Sequence, residues 1–170
     1  LLTIIERKGS LKDLHITYLG DANNVANSLV YGATLLGAHV TVAAPRGYGL
    51  WADVAARAQL YAGGSGGSLT QVEEPQAGVE AADVIYTDAW YSMGQESEAA
   101  KRAAIFPPYQ LNGKLMALAK PDAVALHCLP AHRGQEITDE VADSSQSALW
   151  DQAENRLHAQ KAVLVKLLVR

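Results

Sequence analysis

The chain has 170 residues, 49% of them hydrophobic, which suffices for one domain with a buried core. Its net charge of −4, with no basic block and a single phenylalanine, argues against a nucleic-acid partner while leaving room for a local phosphate site. One cysteine cannot form an intrachain disulfide, so this is not a stapled secreted scaffold.

The opening residues "LLTIIERKGSLKD" contain no long apolar stretch and no small-residue cleavage site, and do not read as a signal peptide. No apolar run approaches the roughly 20 residues of a membrane-spanning helix. The expectation is a soluble cytoplasmic protein without a membrane partner. Position 1 is not Met, so the chain is expected to belong to something longer.

Five segments rich in β-branched and apolar residues follow: "LHITYLG" (14–20), "HVTVAAP" (39–45), "SLTQVEE" (68–74), "DVIYTDA" (83–89) and "AVALHCL" (123–129). All but the third have the near-continuous apolar character of strands covered on both faces. The more polar third belongs at an edge. Helical stretches are expected at about 23–37, 51–62, 96–104 and 113–120, the last closed by Pro121. "YAGGSGGS" (61–68) reads as a flexible connection rather than a phosphate loop, because no Lys-Ser/Thr follows it and it precedes a strand. This alternation predicts an α/β fold: a doubly wound, mainly parallel five-stranded, Rossmann-like sheet with helices on both faces, as one domain over 1–170.

The last segment, about 150–169, reads as a long helix with Asp151 and Glu154 in its first turns and Lys166 near its end, as the helix dipole favours. Its second half, "AVLVKLLV", is apolar nearly all round and wants a partner on more than one side.

Ligands of open parallel sheets bind at the carboxyl ends of the strands. "GDANNVAN" (20–27) stands there after the first strand, with one glycine where a dinucleotide fingerprint needs three. Asn23 or Asn24 caps the next helix or faces a ligand. After the fourth strand comes "TDAWYSMGQE" (87–96), where Asp88 and Ser92 are turn and cap residues or a means of holding an ammonium group under a glycine-hinged loop. After the fifth comes "HCLPAHRGQEI" (127–137), with the lone thiol of Cys128. The residues alone leave four roles for it: packed hydrophobe, metal ligand, nucleophile or substrate-facing group. Its neighbours make a poor zinc set and offer no oriented base. In "AENR" (153–156), Arg156 is a solvated charge or reaches back over the rim to an oxygen-rich ligand.

Taken in order, "GDANN", "TDAWYSMG", "HCLPAHRG" with the glutamate two residues on, and "AENR" resemble the ornithine carbamoyltransferases over essentially the whole chain. "SMG" and "HCLP" are the specific parts; related enzymes acting on aspartate or putrescine share the fold without this pair. The resemblance implies the second, ornithine-binding domain of a two-domain enzyme that moves the carbamoyl group of carbamoyl phosphate to the ornithine δ-amine, giving citrulline in arginine biosynthesis. The family's carbamoyl-phosphate-binding domain, with its Ser-Thr-Arg-Thr and His-Pro-x-Gln motifs, is absent from this sequence. That leaves about 150 residues, one typical domain, expected upstream. The resemblance assigns Asn24, Asp88, Ser92, Met93, Cys128 and Leu129 to ornithine. It assigns Cys128, Leu129 and Arg156 to carbamoyl phosphate, with Cys128 and Arg156 catalytic. It implies no metal or other cofactor, and a homotrimer when full-length. The isolated chain is expected to be inactive.

Overall fold

The computed structural model describes residues 1–91 and 98–169. Five parallel strands, β1 (His15–Leu19), β2 (His39–Ala43), β3 (Ser68–Val72), β4 (Val84–Thr87) and β5 (Val124–His127), form one sheet in the order β3-β2-β1-β4-β5. The five expected strands and the α/β class are therefore present, with each strand shorter than its apolar run. Ile16, Thr17 and Tyr18 of β1 lie level with Val40, Thr41 and Val42 of β2 on one side and with Val84, Ile85 and Tyr86 of β4 on the other. Polar β3 lies at an edge, as its composition requires. β5 forms the opposite edge yet is buried throughout, because the segment before the last helix covers it: Ala125 N–H donates to Gln146 O and Ala148 N–H to Ala125 O.

Alternation along each strand makes two cores. Ile16, Tyr18, Val40, Val42, Val84, Tyr86 and Leu126 face α2 (Asn24–Leu35) and α3 (Ala52–Ser65), together with Ile4 of α1 (Leu2–Lys8). Leu19, Ala43, Ile85 and Ala125 face α4 (Pro75–Val79), α6 (Gly113–Met116) and α7 (Asp139–Ala142). α5 (Ala99–Ile105) follows the β4 loop. The expected flexible connection at 61–68 is shorter than anticipated. α3 runs on through Gly63 and Gly64 to Ser65, whose hydroxyl donates to Thr34 O, and ends at Gly66 with φ +86°. Packing on α2 holds two glycines helical against their intrinsic preference.

Among the described residues the final helix, α8 (Leu149–Leu168), is anchored only at its start. Leu149 is buried, Asn155 donates to Thr3 at 3.1 Å and to Glu6, and Asp151 pairs with Arg7. From Arg156 onward every described residue is exposed, including Leu157, Leu164, Val165 and Leu167. The apolar half of this helix thus has no partner among the described residues. No helix among them is long and apolar enough to cross a membrane.

Candidate functional site

In this strand order the chain builds outward from β1 through β2 and β3, then returns to β4 on β1's other side. The crevice between β1 and β4 at their carboxyl ends is the topological switch point where such sheets take ligands. Three loops meet there, following β1, β4 and β5.

After β1, Gly20 takes φ +121°, a region open to glycine, and its N–H bonds Ala43 O at 2.9 Å. The single glycine of "GDANN" thus serves a turn. Asn23 is the N-cap of α2, its Oδ1 accepting the N–H groups of Val25 at 2.9 Å and Ala26 at 3.4 Å. Its Nδ2 is left free to donate to Asp88 Oδ2 at 2.9 Å. Asn24, the first residue of α2, is exposed and stands between cavities of about 690 Å³ and about 390 Å³.

After β4, Asp88 collects three donors. Oδ1 accepts the Ala89 N–H at 2.8 Å and the Cys128 thiol at 3.0 Å, while Oδ2 takes the Asn23 amide. A carboxylate has about four lone-pair directions, so roughly one remains for a further donor.

After β5 the backbone turns sharply: Leu129 has φ +59° and precedes a cis Pro130. A leucine in the left-handed region costs about 1–2 kcal/mol and persists only where its surroundings impose it. They do so here. Leu129 N–H donates to His127 Nδ1 at 2.9 Å, which leaves the ring proton on Nε2, 3.0 Å from Glu136 Oε1. The same carboxylate oxygen accepts the His132 N–H at 2.6 Å. His127 and Glu136 are both fully buried, so this brace is shielded from water.

The thiol is held in its neutral form. Burial, then the hydrogen bond and charge of Asp88, push Cys128 up to about 12, against a smaller opposing pull from the Tyr86 hydroxyl. A thiol so placed is a poor nucleophile at neutral pH but a competent hydrogen-bonding group. Tyr86 itself is raised by burial first and by Cys128 next.

On the far side of the β1 loop, buried Arg102 donates to Asp21 Oδ2 at 2.7 Å, to the Trp90 carbonyl at 2.7 Å and to Glu98 at 2.9 Å. It ties the start of the β4 loop and the start of α5 to "GDANN".

Of the residues expected in the site, Asp88 and Cys128 are in direct contact, Leu129 adjoins them, and Asn24 lies next to the Asn23–Asp88 bond. Arg156 is exposed on α8, one turn beyond Gln152, whose amide reaches Tyr86 Oη at 2.9 Å; residues four apart share a helix face. Ser92 and Met93 lie outside the described residues. Sequence reasoning left Asn23 between a cap and a ligand contact and assigned no role to His127, Glu136, Arg102, Tyr86 or Gln152. Glu136 alone had a signal, its place in the "HCLPAHRGQE" run.

Asp88, His127 and Cys128 put possible metal-ligand atoms within 4.8 Å of one another. Both ring nitrogens of His127 are spent on Leu129 and Glu136, and the thiol proton on Asp88. The trio as hydrogen-bonded does not fit a cation.

The family model for the aspartate/ornithine carbamoyltransferase Asp/Orn binding domain matches residues 12–167. An ornithine carbamoyltransferase of Rhodococcus opacus (strain B4) is 56% identical across 100% of the chain, which covers 54% of that relative. The solved ornithine carbamoyltransferase of Pyrococcus furiosus superposes with a TM-score of 0.93 at 55% identity, covering 96% of this chain and 52% of the other. A solved N-acetyl-L-ornithine transcarbamylase superposes with a TM-score of 0.87 at 30% identity, over 98% of this chain and 54% of the other. The chain spans about half the length of the curated relatives it matches.

Proposed function

The chain belongs to the aspartate/ornithine carbamoyltransferase family as an Asp/Orn binding domain, and from that premise we propose that it is the ornithine-binding half of an ornithine carbamoyltransferase. The observation that carries the reading is the Cys128–Asp88 bond of 3.0 Å at the switch point, beside a Leu129 backbone braced by buried His127 and Glu136.

In this reading Asp88 receives the α-ammonium of ornithine in its remaining acceptor direction, Asn24 meets the carboxylate end, and Ser92 and Met93 close over the amino acid. The δ-amine reacts as the neutral base, although free in water it is mostly protonated, as a lysine is. Cys128 and the Leu129 carbonyl orient its lone pair. The nitrogen attacks the carbamoyl carbon, the bond from that carbon to the phosphate oxygen breaks, phosphate leaves with the electron pair, and the new amide nitrogen gives up a proton. Arg156 supplies positive charge at the carbamoyl oxygen as it gains electron density. A thiol kept neutral fits orientation rather than covalent catalysis. The remaining carbamoyl-phosphate contacts come from a domain outside this sequence, so the isolated chain forms no citrulline, and a homotrimer is the state of the longer protein. A reducing cytoplasm suits the unpaired thiol.

The likeness to N-acetyl-L-ornithine transcarbamylase supports a second reading, with another amino-acid acceptor. Asp88 separates the two, because a free α-ammonium needs a carboxylate and an acylated nitrogen does not. The test joins this chain to a carbamoyl-phosphate-binding half and measures carbamoylation of ornithine, N-acetylornithine, aspartate and putrescine. Ornithine is the expected acceptor, and Asp88→Ala should lower its kcat/KM by at least about 30-fold, the usual consequence of removing one partner of a desolvated charge pair. Preference for another acceptor would sink the proposal.

A further inference from the structure

Tyr91 and His132 take no part in the chemistry above, yet they meet across the site. Tyr91 follows Asp88 in the β4 loop and directly precedes Ser92 in the sequence, while His132 follows Cys128 and Leu129 in the β5 loop. Their rings stack with centroids 5.6 Å apart and planes 28° from parallel. We infer that Tyr91 and His132 are positioning residues for the acceptor amino acid: their stacked rings join the loop that leads into Ser92 and Met93 to the loop that carries Cys128 and Leu129. What is bound there rests on the proposed function; the stack itself does not.

The two sides of the stack are held differently. The β5 loop is pinned at several points. His132 N–H donates to Glu136 Oε1 at 2.6 Å, Gly134 N–H to Ile137 O at 2.8 Å, and the Gln110 amide to the carbonyls of Gly134 at 2.9 Å and Gln135 at 2.8 Å. The His132 ring turns its Nδ1 edge inward, 3.7 Å from Glu136 Oε2. On the β4 side Trp90 is buried against Phe106 and its carbonyl is held by Arg102, whereas the next residue, Tyr91, is half-buried and meets His132. His132 is thus a fixed platform, and stacking extends its fixity to Tyr91. A loop held before its ligand arrives loses less freedom on binding, so the benefit belongs to KM. The reacting end depends on Cys128 and Leu129, which His127 and Glu136 brace separately, so kcat should change little.

The chain has five histidines, so the ring protons of His132 can be followed by NMR, with His132→Gln identifying them by their loss. A stacked aromatic ring shields its neighbour. Tyr91→Leu should therefore move those signals downfield, and Tyr91→Phe, which keeps a ring there, should leave them in place. Both residues are partly exposed, so neither substitution empties the core. In the protein joined to a carbamoyl-phosphate-binding half, Tyr91→Leu and His132→Ala should each raise the ornithine KM about two- to tenfold, the worth of an aromatic pair, with kcat within about twofold. Tyr91→Phe should keep the original KM, and the double variant should be no worse than either single one. Unmoved His132 signals in Tyr91→Leu, an unchanged KM, or increases that multiply in the double variant overturn the inference. If another acceptor is preferred, the proposed function falls, and the same KM comparison made with that acceptor decides the role of the stack.

Discussion

Arg102 and Glu136 are both buried, at 5% and 0% exposure, and each ties a loop of the rim to the body of the domain. Arg102 is surrounded by matching charge: Asp21 and Glu98 accept from it, the Trp90 carbonyl takes a further bond, and the Tyr48 and Phe106 rings lie 4.9 Å and 5.8 Å from its guanidinium carbon. Glu136 is held by the His127 ring and the His132 backbone N–H, while its Oε2 has no bonding partner among the described residues and His132 Nδ1 stays 3.7 Å away. One anchor works by charge compensation, the other by hydrogen-bond geometry. The first should fail when its charge is removed, the second when its oxygens are.

Arg102→Met should give the largest loss, about 3–5 kcal/mol by urea unfolding at neutral pH, because Asp21 is left buried without its cation. The loss should depend on pH. Burial already holds Asp21 above the ordinary carboxylate range, against the pull of Arg102. A carboxyl raised in the folded state takes stability away as pH climbs from its unfolded value through its folded one, and without Arg102 that window moves higher. The penalty should therefore be smallest near pH ~4 and grow toward neutrality. An equal penalty at both would break the attribution to Asp21.

Glu136→Ala strands two buried donors and should cost about 2–5 kcal/mol. Adding Asp21→Asn to the Arg102→Met protein should return about 1–2 kcal/mol, measured as the coupling in a double-mutant cycle. The smallest effect is expected from Glu136→Gln, about 1 kcal/mol or less, because one amide oxygen still accepts from His127 and His132. Should Gln cost as much as Ala, the charge of Glu136 matters after all and the contrast with Arg102 collapses.

Much of the frame could be read from the residues. The near-continuous apolar runs at 14–20, 39–45, 83–89 and 123–129 each contain a strand, and the polarity of "SLTQV" marked the edge. The placing of Asp88 and Cys128 at the carboxyl ends of the fourth and fifth strands also followed, although their bond to each other shows only in the structure. Other features were illegible for physical reasons. α4 and α7 are too short for a helical period to show, and α3 continues through two glycines only because α2 packs against it. The anchoring roles of Arg102 and Glu136 depend on partners far along the chain, Asp21 for one and His127 for the other, and nothing local in "AAKRAAI" or "RGQEI" announces them. Tyr86 read as one more apolar strand residue, and only the arrival of α8 shows that its hydroxyl has a neighbour.

The half of α8 that leaves the domain has a consequence for exchange with solvent. Beyond Arg156 roughly a dozen residues, about 20 Å of helix, continue without tertiary support among the described residues. Isolated helices of that length are marginal in water, so their amides should trade hydrogen for deuterium at rates close to those of a peptide. Amides in the turn around Asn155 should open only with α1. The protection profile of this one helix would thus fall from near-global to near-zero over a few turns. A partner laid along Leu157, Leu164 and Leu168 would flatten that profile, and the profile therefore doubles as a gauge of whether the helix is covered.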